Sequence, residues 1–176
     1  MFFRTSDECL KIANLSGLSF DVDKQEILAN GESWPSVVMS LRDHDFNRTY
    51  FIARMLVKLL VHDTQTMLWI TEFGIWPSSE NRHLYYLVRR TYGDFRAICE
   101  APGHLFLKHE QEDLITFVQL AILSKWGGYV FGLNNENILA LSHDKYATIL
   151  SKNDANNIAV EINKYGFYCE NIPVSV

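Results

Sequence analysis

The side chains best placed to do chemistry in this chain are a strand-end glutamate, Glu72, and a few of its six histidines. His104 and His109 stand five residues apart, with Glu110, Glu112 and Asp113 close behind. A helical zinc site of the HExxH type needs two imidazoles one turn apart on a single face, with a glutamate as base. In His109-Glu110-Gln111-Glu112-Asp113 a carboxylate stands where the second imidazole belongs, so the sequence predicts no metal site, and no motif calls for a cofactor. Glu72 follows the apolar run Met67-Leu68-Trp69-Ile70. In open α/β sheets ligands gather at the carboxyl ends of strands, which makes Glu72 a catalytic candidate and His104 its candidate acid/base partner. The alternative is a strand-end carboxylate that faces water or a nearby arginine. Nucleophile-elbow, Walker A and GxGxxG patterns are absent. Cys9, Cys99 and Cys169 are far apart, odd in number and without a CxxC pair, which reads as reduced thiols packed as small hydrophobes.

A second constellation is suited to recognition. Arg82, Tyr86 and Arg89, with Arg90 beside them, fall on one side of a helix read over Glu80 to Tyr92, while Leu84, Leu87 and Val88 fall on the other. Arginine and tyrosine combine area with directional hydrogen bonds and are enriched at binding hot spots. Hydropathy therefore predicts that the leucines are buried and that Arg82, Tyr86 and Arg89 face outward. Outward they would form a protein-binding surface, an anion site, or a solvated face whose arginines pair with local acids such as Asp94.

The elements that position these residues read as follows. A short helix spans Thr5 to Leu15 and stops near Gly17. Period-two alternation in Leu18–Asp23 suggests a half-exposed strand, paired with Ile27-Leu28-Ala29 before Asn30-Gly31. Val37-Val38-Met39 adds a strand, and Asp45 or Asn47 caps a helix running to about Val61. Met67–Ile70 fits a strand covered on both faces, and Pro77-Ser78-Ser79 starts the arginine helix, closed by Gly93. Phe95–Cys99 reads as a strand, Pro102-Gly103 as a type II turn, and Leu105-Phe106-Leu107 as the returning strand. A long helix covers His109 to Trp126, with Leu114, Phe117, Val118 and Ala121 at core spacing. Tyr129–Phe131 and Ile138–Leu141 form a hairpin about Asn134-Asn135. Ser142–Asp144 caps a short helix through Leu150, and a last helix covers Ala155 to Lys164. Helices and strands interleave, so the expected fold is one α/β domain, a mixed sheet covered by helices, with α+β as the alternative.

The 176 residues suffice for one domain with its own core. A net charge of −5, concentrated in the first quarter with its eight acids and four bases through Asp45, argues against nucleic acid as a partner. The N-terminal residues turn acidic with no apolar leader, and the most apolar stretch, Tyr50 to Val61, is broken by Arg54 and Lys58. Both features predict a cytoplasmic protein without a membrane span.

Four fragments, Leu68-Trp69-Ile70-Thr71-Glu72-Phe73-Gly74-Ile75-Trp76-Pro77-Ser78-Ser79-Glu80-Asn81, Ala101-Pro102-Gly103-His104-Leu105-Phe106, Trp126-Gly127-Gly128-Tyr129 and Ser142-His143-Asp144, together resemble a family of small uncharacterised bacterial proteins associated with the immunity proteins of toxin systems. The resemblance covers the middle of the chain and leaves the first quarter unmatched. It implies a bacterial cytosolic origin and carries no catalytic residue. The expectation is a non-enzymatic protein-binding protein, and the resemblance implies one that neutralises a toxin. The alternatives are a small hydrolase-like enzyme using Glu72 and His104, or a structural subunit of an assembly.

Overall fold

The computed structural model describes residues 1–21, 26–29, 34–41, 46–60, 65–73, 79–133, 136–152 and 155–172. In chain order the elements are β1 (Phe2–Arg4), α1 (Ser6–Leu15), β2 (Leu18–Asp21), β3 (Glu26–Ala29), β4 (Ser36–Ser40), α2 (Phe46–Leu60), β5 (Thr66–Glu72), α3 (Ser79–Thr91), β6 (Gly103–Phe106), α4 (Gln111–Leu123), β7 (Gly127–Gly132), β8 (Asn137–Ser142), β9 (Tyr146–Ser151), α5 (Ala155–Lys164) and β10 (Cys169–Ile172). Eight strands form one sheet in the order β1-β6-β5-β7-β8-β9-β4-β10, and β2 and β3 pair as a separate ribbon. Every described pairing is antiparallel. The expected single domain of sheet and helices is therefore present in its α+β form.

The sheet is the middle of three layers. β5 shows why, because its apolar residues alternate between two cores. Leu68 and Ile70 join the larger core beneath α2, α3, α4 and α5. Met67 and Trp69 join a smaller one with Cys9 and Ala13 of α1 and Leu18 and Ile27 of the ribbon. A continuous apolar run is what a strand covered on both faces requires. In α4 Leu114, Phe117, Val118 and Ala121 are all buried, as their spacing predicts.

Local signals set several boundaries. Thr5 caps α1 in a reciprocal capping box with Glu8, and Gly17 leaves the helix at φ +73°. Gly93 and Gly166, also at positive φ, follow α3 and α5. Three readings are corrected. Residues 95–99 contain no strand. Gly103 begins β6 rather than a turn, and it is needed for close approach, since a Cβ there would lie 2.1 Å from the Cys9 sulfur. Residues 146–151 form β9, reached by a tight turn in which Lys145 adopts φ +65°, rather than a helix. The readings at Asn30-Gly31, Asp45, Pro77-Ser78 and Asn134-Asn135 lie outside the described residues. Among the described residues no helix is long and apolar enough to cross a membrane.

Candidate functional site

α3 is seated about a third of a turn away from the orientation hydropathy predicts. Its inward residues are Tyr85 and Arg89, one helical turn apart and both essentially inaccessible to solvent. Leu84 and Leu87 point outward, 42% and 61% exposed. Of the three residues expected on the surface, Arg82 is exposed, Tyr86 is half-buried, and Arg89 is in the core. The outward placement of Arg89 is thus corrected.

The physical reason is a set of acceptors waiting for the two terminal nitrogens of the guanidinium, Nη1 and Nη2. Arg89 donates from Nη2 to Asp94 Oδ1 at 2.9 Å, and from Nη1 to the Tyr85 hydroxyl at 2.9 Å and the Ala101 carbonyl at 3.1 Å. Its planar group also lies 4.5 Å from the centre of the Phe3 ring. An unpaired buried arginine would cost several kcal/mol, but one held by a carboxylate and two further acceptors recovers much of that in charge-assisted hydrogen bonds. Asp94 reaches this position because Gly93 turns the chain at φ +80° directly after α3. Its carboxylate also accepts from Arg96, from the backbone N at 2.9 Å and from Nε at 3.0 Å. Burial pushes the Asp94 carboxyl up, but hydrogen bonds from Arg96 and Arg89 outweigh it and hold the group below its ordinary value.

The network continues inward to His104. The Tyr85 hydroxyl lies 2.6 Å from His104 Nε2, and His104 Nδ1 lies 3.3 Å from the Leu68 carbonyl. Arg89 and the Leu68 carbonyl fix the direction of the protons. Arg89 can only donate to the phenol, so the phenol gives its proton to Nε2, and Nδ1–H donates to Leu68. Burial, followed by the charge of Arg89, pushes the His104 pKa down to about 3, so the ring is neutral. His104 is fully buried among Phe3, Phe106 and Phe117. Its part is to anchor Tyr85, and its reading as an acid/base residue is corrected.

Glu72 has a different partner. Its Oε2 lies 2.7 Å from Nδ1 of His143, in the turn between β8 and β9. β7 runs between the strands that carry these two side chains. Two features allow the reach across it. The β5–β7 register shifts between Ile70 and Glu72, and Gly127 has no side chain where a Cβ would come within 2.4 Å of the Glu72 carboxylate. The hydrogen bond that His143 Nδ1–H donates to Glu72, then the carboxylate's charge, raises the His143 pKa. Both side chains are 39% exposed, which makes this a surface pair. Strand-end position exposed Glu72 in the sequence, whereas its partner was hidden because the turn bearing His143 read as the cap of a helix.

The outer face of α3 completes the picture. Arg90, His83, Leu87, Thr91 and Leu84 all lie within about 120° of the helix circumference, and all five are exposed. Neither Arg82 nor Arg90 forms an ion pair with a described residue. Phe95, 77% exposed, follows just beyond the helix. The surface carries Leu84 and Leu87 with basic side chains beside them that form no ion pair with a described residue. No family model matches the chain, and neither a curated protein nor a solved structure does.

Proposed function

We propose that this is a non-enzymatic binding protein whose α3 outer face docks onto a protein partner with an acidic, partly apolar surface. The observation that carries the reading is the inversion of α3. Solvent alone favours leucine inside and arginine outside, yet here a buried ion-pair network holds Leu84 and Leu87 in water. Scattered exposed leucines need no explanation, but two on one stripe, flanked by arginines that form no ion pair with a described residue, match the composition of an interface. A net charge of −5 makes a basic patch on this face distinctive, and it selects for acidic partners by steering and by rejecting basic ones. Neutralisation of a bacterial toxin by coverage is the specific form of this role that the fragment resemblance suggests.

The test is capture from the native host with the wild-type chain and with Leu84→Asp/Leu87→Asp, followed by titration of the captured protein. Loss of two apolar anchors and the introduction of two negative charges are expected to weaken binding by roughly thirtyfold or more. Equal affinity of the two chains would overturn the proposal. A hydrolytic role is the second reading, and the Glu72–His143 hydrogen bond favours it. That pair supplies a carboxylate-oriented imidazole at the surface.

A further inference from the structure

A second site lies on the helical side of the molecule, where α2, the first turn of α4 and the end of α5 enclose a groove of about 470 Å³. That volume is in the range of small-molecule pockets. Its floor is apolar, formed by the buried Met55 and Ile115. Two aromatic rings that the core leaves in solvent, Phe51 at 60% and Tyr165 at 48% exposed, stand at its sides.

The charges decide what such a groove would take. Arg54 and Lys58 line it from positions four apart on α2, a spacing at which like charges repel and destabilise a helix. Glu112 lines the groove from α4, yet no ion pair joins it to either cation. Arg54 has no hydrogen bond to a described residue, and among the described residues Lys58 has one bond, of 3.4 Å, to the Tyr165 hydroxyl. Among the described lining residues two cations face one carboxylate, which leaves one net positive charge beside the apolar floor. We propose that this groove binds a small organic anion, a carboxylate or phosphate head on a planar apolar body. The head would bridge Arg54 and Lys58, relieving their repulsion, and the body would lie on Met55 and Ile115 between the two rings.

The experiment is a calorimetric titration of the full chain with phenyl phosphate, benzoate, inorganic phosphate and phenol, repeated on Arg54→Ala/Lys58→Ala and Arg54→Lys/Lys58→Arg. One aryl anion is expected to saturate at one per chain. Inorganic phosphate and phenol should each bind about tenfold more weakly or worse, since each lacks half of the recognised chemistry. Preference for phenyl phosphate over benzoate would assign a phosphate head, and the reverse a carboxylate. The alanine pair should lose about tenfold or more in affinity and the charge-conserving pair should retain most of it. Failure of both aryl anions to saturate, or equal binding to the alanine pair, would overturn the proposal, as would phenol binding as tightly as the anions.

Discussion

Arg89 illustrates how much one residue can redirect. Arginine in the middle of a helix reads as surface, and so it did here, yet Asp94, Tyr85 and Ala101 supply acceptors that make the interior the better place for it. Asp94 was legible as a pairing acid, because it follows Arg89 across a helix-stopping glycine. Its burial was not legible, since β1, which brings Phe3 over the guanidinium, is an edge strand of three residues without alternation strong enough to read. His104 at the end of the network yields a pH prediction. Its folded pKa of about 3 lies below its ordinary value of 6.5, so between those values the unfolded chain binds the proton and the folded chain does not. Stability therefore falls as pH drops from 6.5 toward 3, by up to about 1.4 kcal/mol per pH unit from this group. Asp94 adds a loss of the same sign at the acid end, because its lowered pKa stabilises the fold only while it is ionised. Urea unfolding across this range should show the decline. Nitrogen NMR at pH 6 should find His104 neutral with its proton on Nδ1, and a protonated imidazolium or an Nε2–H tautomer would contradict the donor chain.

At the scale of elements, existence was easier to read than identity or facing. The span of α1 with its stop near Gly17, the core spacing of α4 and the two-faced run of β5 each carry one strong local cause, and each is legible in the sequence. Residues 146–151 failed because a strand half-covered by α5 and a short helix share the same apolar content. Only the positive φ of Lys145 separates them, and no glycine marks that position. Residues 95–99 failed for a related reason: of their aromatic and apolar side chains only Ile98 is buried, anchoring irregular chain, while Phe95 stands in solvent. Gly127 and Gly128, just beyond the helix read to Trp126, lie in β7 and permit close approach. A Cβ on Gly128 would lie 2.4 Å from the Trp69 carbonyl oxygen and 2.9 Å from the Ile70 Cα, both backbone atoms of the neighbouring strand. Gly128→Ala is therefore expected to cost about 1–3 kcal/mol as strain in the β5–β7 pairing. An unchanged denaturation midpoint would show that the strands can separate more easily than this register suggests.

For the whole molecule, a single sheet separates two uneven cores, and the larger is covered by four helices of which α3 lies over the β1–β6 end. Composition and interleaving made this class of fold legible, but strand order was not, since no local pattern tells β4 to pair with β9 and β10 rather than with its neighbours in sequence. The candidate binding face depends on the same long-range assembly, because α3 presents leucines only when Asp94, Phe3 and His104 have gathered to hold its inner side. The orientation of α3 is therefore tested most directly by the denaturation midpoints of Leu87→Arg and Arg89→Leu, measured side by side. Leu87→Arg should leave stability within about 0.5 kcal/mol, as surface changes do. Arg89→Leu should cost about 3–5 kcal/mol, because it strips the buried network of its central donor. The opposite pair of results, a destabilising arginine at 87 and a harmless or stabilising leucine at 89, would put the leucine side in the core and remove the basis for the proposed docking face.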